Sequence, residues 1–349
     1  MKMEVAVDIA GRLGADRVLD PPGALPQRAE RLDPSPPVRP HEIELAVERL
    51  CLDSTSYREI REGADADPAA MAARISEIAA SRGKLHNSVT DSGGVVLGTV
   101  SAVGDRCEHP PAIGDRIVSL ASLTLTPLRI DAITNLDPGS SQIEATGAAY
   151  LFGSVAWGPV PDDLPLDAVL ELYDVCSAGS HTRELAPSRG TVYVLGAGHA
   201  GKLTMAAARD AMEDGTVVAV DVDSAAVERV AELGMCDVGV IADLRDPIAA
   251  AAAVRDAGAP PADLTVVVVN STDCEATAIL LTADGGTVLF FSMATSFSGA
   301  ALAADGIGKD VRMLVGSGYA PDHGAYALEL ARSSGPLRAA MGIDDGGAG

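Results

Sequence analysis

The 349 residues are 47% hydrophobic and 21% charged, enough chain and enough apolar side chains for two globular cores. A formal charge of −23 excludes a phosphate-tracking surface, which needs clustered Lys and Arg, so no nucleic-acid partner is expected. No apolar stretch reaches the ~18 residues of a membrane span, which excludes a transmembrane helix and makes a membrane partner unexpected.

The first twenty residues mix Lys2, Glu4, Asp8, Arg12 and Asp16 among short apolar runs, so no signal peptide is read there. Residues 15–40 carry Pro21, Pro22, Pro26, Pro34, Pro36, Pro37 and Pro40 and are expected to be mostly extended or irregular. From His41 to Leu52, Ile43, Leu45 and Val47 alternate with Glu42, Glu44 and Glu48, the period of a half-buried strand. Asp67 to Arg82 carries Met71, Ile75, Ile78 and Ala79 at helical spacing, with Asp67 as N-cap and Pro68 just inside. Gly93 and Gly94 open a β-rich run from Val95 to Val103, and Asp115 to Leu125 reads as a further strand. After Pro165, strands at Thr191–Leu195, Val217–Val220, Leu264–Val269 and Thr287–Phe291 alternate with Ala-rich helical segments, the rhythm of a doubly wound parallel sheet. The expected organisation is α/β. A β-rich domain spans residues 1–160 with a helical insertion near 67–82, a dinucleotide-binding domain spans 161–341, and a Gly- and Asp-rich flexible tail spans 342–349. Cys51, Cys107, Cys176, Cys236 and Cys274 are scattered and odd in number, without a CxxC pair, which fits a reducing cytoplasm and gives no disulfide framework.

The sharpest motif is Val192-Tyr193-Val194-Leu195-Gly196-Ala197-Gly198-His199-Ala200-Gly201, a GxGxxG directly after a buried strand and before a helix of small residues. Gly196 permits the tight turn, Gly198 lets the backbone approach a pyrophosphate, and Gly201 lets the helix pack on the strand. His199 and Ala200 lie inside the same phosphate loop, at the positive end of the helix. The next strand ends in Asp221, roughly 20 residues past the last glycine, where a carboxylate accepts ribose hydroxyls and repels a 2′-phosphate. No Arg follows at once (the next is Arg229), and the rival acid, Asp223, lies past the strand end. The expected cofactor is therefore NAD, with Asn270, Ser292 and Met293 as further contacts from later strand ends.

The stretch Gly98 to Gly104, followed by Ile113-Gly114-Asp115-Arg116-Ile117, resembles the strand pair in the catalytic domain of medium-chain dehydrogenases/reductases. That resemblance implies a GroES-like β-domain before a Rossmann domain. Zinc enzymes of that superfamily use a Cys, the His of a Gly-His-Glu motif and a later Cys or acid. Cys51 sits at the first position, but the Gly-His-Glu position reads Gly93-Gly94-Val95, and the structural four-Cys lobe is absent. Three protein ligands are the minimum for a catalytic zinc, so no metal is expected, and Cys51 reads as a small buried hydrophobe.

Further blocks resemble a zinc-free branch, the L-erythro-3,5-diaminohexanoate dehydrogenases of lysine degradation. They include Gly23-Ala24-Leu25-Pro26-Gln27, Leu52-Asp53-Ser54-Thr55-Ser56-Tyr57, Arg82-Gly83-Lys84 with Val89-Thr90-Asp91-Ser92-Gly93-Gly94, and Ser122 through Asp131. Gly285-Gly286-Thr287-Val288, Phe290 through Phe297, Gly308-Lys309-Asp310-Val311 and Gly316-Ser317-Gly318-Tyr319 complete the set. Departures fall at His86, Asp91 and the Cys176-to-Arg183 segment, which leaves a near relative of that substrate open.

The resemblance implies oxidative deamination of a β-amine: hydride passes from the 3-amino carbon to NAD, and the imine is hydrolysed to ammonia and 5-amino-3-oxohexanoate. It also implies a homodimer. An ammonium must lose a proton before its carbon gives up hydride, which requires a base. Asp53 follows the first catalytic strand, in the region where the superfamily keeps its first zinc ligand and proton shuttle, and Asp174 lies near where its third ligand falls. The two are the expected residues to hold or deprotonate the ammonium, with Ser54 and Tyr57 beside them. Arg129, Thr126 and Ser292 are the expected substrate contacts. Each residue has a plainer alternative. Asp53 suits an Asx turn, Asp174 a helix cap, Ser54 and Tyr57 local packing, and Arg129 a surface salt bridge; His323 suits a helix start. Two other functions stay open: a zinc-free enoyl or quinone reductase, disfavoured by Asp221, and an NAD-binding regulatory protein without catalysis.

Overall fold

A computed structural model describes residues 8–86 and 93–344. The matched stretch Val89-Thr90-Asp91-Ser92, the departure at Asp91, the first seven residues and the last five residues of the tail lie outside the described residues. The chain divides into two units, Met1–Asp174 and Val175–Gly349.

In the first unit the Pro-rich segment carries a small antiparallel ribbon, β1 (Val18–Asp20) with β2 (Arg31–Leu32). It is pinned by Arg17, which is fully buried. The Arg17 guanidinium donates to both Glu42 oxygens and to the carbonyls of Asp33, Ser35 and Pro37, and lies 4.1 Å from the Tyr150 ring centroid. β3 (Glu42–Cys51) then enters the centre of a sheet. Helices α1 (Ser54–Gly63) and α2 (Pro68–Arg82) follow. Asp67 accepts hydrogen bonds from Ala69 and Ala70 at the start of α2, as its sequence predicts, and Met71, Ile75 and Ala79 form the buried stripe. Gly83 ends α2 at φ 64°, where a Cβ would sit 2.0 Å from the Leu32 carbonyl oxygen, so only glycine serves there.

The remaining strands are β4 (Val95–Val103), β5 (Arg116–Ser119), β6 (Leu128–Leu136), β7 (Gln142–Phe152) and β8 (Trp157–Pro159). The order is β6-β7-β3-β4-β5-β8, antiparallel throughout. Leu45, Leu50, Val96, Ile117, Leu128 and Ile143 meet in its core. The strand expected from Asp115 to Leu125 stops at Ser119. The backbone turns instead around Ser122, whose Oγ accepts the Thr124 N–H and whose carbonyl accepts the Leu125 N–H.

Helix α3 (Leu166–Leu185) precedes β9 (Arg189–Leu195), α4 (His199–Ala211), β10 (Asp214–Asp221), α5 (Ser224–Glu232), β11 (Val238–Ile241) and α6 (Pro247–Asp256). Then come β12 (Ala262–Val267), α7 (Glu275–Leu281), β13 (Thr282–Phe290), α8 (Phe297–Ile307), β14 (Arg312–Val315), α9 (His323–Ser333) and α10 (Gly335–Ala340). All strand pairs are parallel, in the order β11-β10-β9-β12-β13-β14. Numbered within the sheet this is 3-2-1-4-5-6, the doubly wound arrangement expected from the alternating segments. Such a sheet opens a crevice at the carboxyl ends of β9 and β12, where the strand order reverses. Tyr193, Leu195, Val218, Val220, Val288 and Phe290 fill the core beneath it. β12 ends at Val267, two residues before the predicted Val269, because the Val268 and Val269 N–H groups both turn to the Leu195 carbonyl.

Candidate functional site

The crevice edge is built from backbone first. Gly196 leaves β9 at φ 116°, and a Cβ there would lie 2.9 Å from the Val269 nitrogen. At Gly201 a Cβ would meet the Gly196 carbonyl oxygen at 2.0 Å, so the first turn of α4 rests directly on the loop. Gly198, between them, has no atom within 4 Å of that position. The three glycines thus serve a turn, an open cradle and a close helix contact. Gly198 is the N-cap of α4 without a side-chain cap, so the helix start presents N–H groups at the cradle. His199 and Ala200 open that helix.

Asp221 closes β10 beside this loop. Its Oδ2 accepts the Ala197 N–H at 2.7 Å, and its Oδ1 accepts the Asp223 N–H at 3.0 Å. Asp223 is occupied differently: it caps α5, accepting from Ala225 and Ala226. Val222 and Ile241, apolar residues at or just beyond the ends of β10 and β11, are exposed on the same carboxyl edge. The sequence reading passed over both; the available signal was an apolar residue placed directly after the acid that ends a strand.

Farther along the edge, Ser292 Oγ donates to Asn270 Oδ1 at 3.3 Å and accepts the Ala294 N–H at 3.1 Å. Asn270 and Ser292, predicted separately, are therefore neighbours, with the exposed Met293 side chain next in the loop. The loop after β14 starts beside the end of β13, where the Gly316 N–H donates to the Phe290 carbonyl, and within it Ser317 Oγ donates to the Tyr319 carbonyl at 2.6 Å. His323 starts α9, matching the plainer of its alternatives.

In the first unit, Asp53 caps α1. Its Oδ1 accepts the Thr55 and Ser56 N–H groups at 3.1 and 3.0 Å, and its Oδ2 accepts the Ser56 hydroxyl. Ser54 is exposed in the first turn, and the Tyr57 hydroxyl donates to the Asp137 carbonyl at 3.2 Å. Asp174 lies inside α3, so it is not a helix cap. Burial, then the Asp53 and Glu171 carboxylates, push its pKa up to about 8. Burial, then the Asp174, Glu171 and Asp53 carboxyl groups, raise the Cys51 thiol well above its ordinary value. Gly94, at the superfamily's zinc-histidine position, has φ 89°, and a Cβ there would lie 1.9 Å from the Cys51 carbonyl oxygen. No imidazole fits at that position. Among the described residues, no group of three or more His, Cys, Asp or Glu side chains is arranged to hold a metal. Thr126 is buried with its hydroxyl on the Ser122 carbonyl, and Arg129 is exposed in a two-pronged pair with Asp131.

Residues 16–161 match the family described as the L-erythro-3,5-diaminohexanoate dehydrogenase N-terminal domain. The L-erythro-3,5-diaminohexanoate dehydrogenase of Fusobacterium nucleatum is 39% identical over 337 residues, covering 94% of this chain and 96% of that protein. The enzyme of the same name from Acetoanaerobium sticklandii is 36% identical over 330 residues, covering 93% and 95%. Among solved structures, galactitol-1-phosphate dehydrogenase from Escherichia coli superposes with a TM-score of 0.53 at 13% identity, over 89% of this chain and 91% of its own. That likeness shows the medium-chain dehydrogenase fold, as predicted. The glycine cradle, the Asp221 carboxylate and the nearly full-length relatives agree: the chain belongs to the L-erythro-3,5-diaminohexanoate dehydrogenase family.

Proposed function

We propose that the chain is an NAD-dependent, zinc-free dehydrogenase that converts L-erythro-3,5-diaminohexanoate to 5-amino-3-oxohexanoate with release of ammonia. The observation that carries this reading is 39% identity to an enzyme of that name across 94% of the chain. NAD supplies the hydride acceptor when bound. Gly196, Gly198, His199, Ala200 and Gly201 would hold its pyrophosphate, and Asp221 its adenosine ribose; Val222 and Ile241 would flank the adenine. Asn270, Ser292 and Met293 would meet the nicotinamide end.

The chain's own part in the chemistry is to fix charges and move a proton. The Asp53 oxygens are engaged by the first turn of α1, which makes Asp53 the fixed carboxylate that orients an ammonium. Asp174 titrates near 8, where a base is best matched to neutral or mildly alkaline conditions, and it takes the proton from the reacting amine. Ser54 and Tyr57 would contact the substrate beside them, and Thr126, Arg129 and Ser292 would serve its polar groups. The Gly94 geometry supports a site without zinc. A homodimer is supported by β14, an edge strand whose Met313, Leu314 and Val315 are all exposed. No helix among the described residues is long and apolar enough to cross a membrane. A cytoplasmic place in lysine degradation completes the reading.

Purified protein given NAD and 3,5-diaminohexanoate should form NADH and ammonia in equal amounts. NADH without ammonia would point to an alcohol substrate, and neither product with tight NAD binding would support a regulatory role. A second expected result concerns cofactor choice. Asp221→Ser should lower the preference for NAD over NADP by ~10- to 100-fold in kcat/KM, about 1.4–2.7 kcal/mol, because it removes a carboxylate set against a 2′-phosphate. An unchanged preference would remove Asp221 from cofactor selection.

A further inference from the structure

Two anchors hold the loop that carries Ser292 and Met293, and both come from the segment after β12. Asn270 receives the Ser292 hydroxyl at the near end. At the far end Glu275, the first residue of α7, is only 6% exposed, and its Oε1 accepts the Ser296 N–H at 2.6 Å. Ser296 is also the N-cap of α8, its Oγ accepting the Gly299 N–H at 3.1 Å. The Glu275 Cδ lies 4.0 Å from where a Cβ on Gly299 would sit, so the carboxylate rests against the first turn of an 11-residue helix. A buried carboxylate is tolerated where an N–H and a helix N-terminus both face it, and a short charge-assisted bond of this kind fixes backbone more firmly than a neutral one.

We propose that Glu275 is a positioning residue for the nicotinamide end of the cofactor site, acting through Ser296 on the 292–296 loop. It touches neither cofactor nor substrate. Its bond sets where the chain re-enters α8, and hence how Ser292 and Met293 are presented at the end of β13. This inference rests on the reading of the glycine loop and Asp221 as an NAD site.

Binding of NAD and of ADP-ribose to the full chain tests it, because ADP-ribose uses the glycine loop and Asp221 but lacks the nicotinamide. Glu275→Ala is expected to weaken NAD ~10-fold, the worth of one charge-assisted hydrogen bond, and to leave ADP-ribose within ~2-fold. The KM for NAD should rise in step. Glu275→Gln, which keeps an acceptor toward Ser296, should return NAD affinity to within ~3-fold of the parent. Glu275→Asp, one methylene short of Ser296, should behave as the Ala variant does and replaces it if Glu275→Ala does not fold. Unchanged NAD affinity in either truncated variant, or equal weakening of both ligands, overturns the proposal. A parent protein that binds neither ligand overturns the cofactor reading itself, which separates the two failures.

Discussion

Replacing Asp174 by Asn is expected to lower turnover by ~10²- to 10⁴-fold, the usual contribution of a positioned general base, with NAD affinity retained. Asn keeps the volume of the side chain and removes the group that titrates. In the folded protein that carboxyl is pushed from its ordinary 3.8 to about 8, by burial first and then by Asp53 and Glu171. Activity of the parent should therefore climb as pH rises through about 8, and the Asn variant should lack that limb. Stability runs the other way. Between 3.8 and about 8 the folded state holds a proton that the unfolded chain has released, so this carboxyl makes stability fall as pH rises through that window. The Asn variant has no such loss, and its melting temperature relative to the parent should increase from pH 5 to pH 9. A parent-like turnover in the variant would sink the assignment of Asp174 as base. A pH-independent difference in melting temperature would sink the account of its environment.

Asp53→Asn separates the two acids. Asn still offers one oxygen to the Thr55 and Ser56 N–H groups, so α1 should persist while the charge proposed to orient an ammonium is gone. The expected signature is a higher KM for the diamine, with the alkaline limb still present. That pattern differs from the one predicted for Asp174, and measuring both variants across pH tells the fixed charge from the proton carrier.

How much of this was legible in the residues depended on distance along the chain. The glycine loop could be read because each of its requirements is local: Gly196, Gly198 and Gly201 answer to one turn, one open cradle and one helix contact. Asp67 and Pro68 announced α2 for the same reason. Strands β6 and β7 escaped notice because their alternation is broken: β6 is largely exposed, with Asp131 and Asn135 along it, and Gly147 breaks the side-chain pattern inside the continuous β7. Helix α1 was hidden behind a correct but incomplete observation, since the Asx turn suspected at Asp53 is the first turn of a helix. Nothing in the residues around Glu275 marks it. Its partner, Ser296, lies 21 residues away across β13, and nothing in the local pattern joins them. Asp174 fell among apolar neighbours in a segment with little amphipathic signal, so its setting was visible only once α3 brought it into the field of Asp53.

Arg17 is a further case of such distance, and its loss should damage the first unit severely. Seven prolines in residues 15–40 argued for an irregular segment, and by secondary structure it is nearly that. What orders it is one guanidinium at 0% exposure, with Glu42 at the start of β3 as its ionic partner. The carbonyls of Asp33, Ser35 and Pro37 take the remaining donors, because prolines leave this stretch few backbone N–H groups to pair with. Arg17→Met keeps much of the apolar stem but leaves the buried Glu42 carboxylate with the Arg39 N–H and no cation. Breaking a buried pair in this way costs about 3–5 kcal/mol. For a unit of this size that is a drop of roughly 6–20 °C in melting temperature. Adding Glu42→Gln should recover only part of it: the stranded charge is removed, yet three carbonyls still lack their donor. A single variant losing under about 1 kcal/mol would mean that the segment is held by its apolar contacts instead, and the double variant would then show no recovery at all.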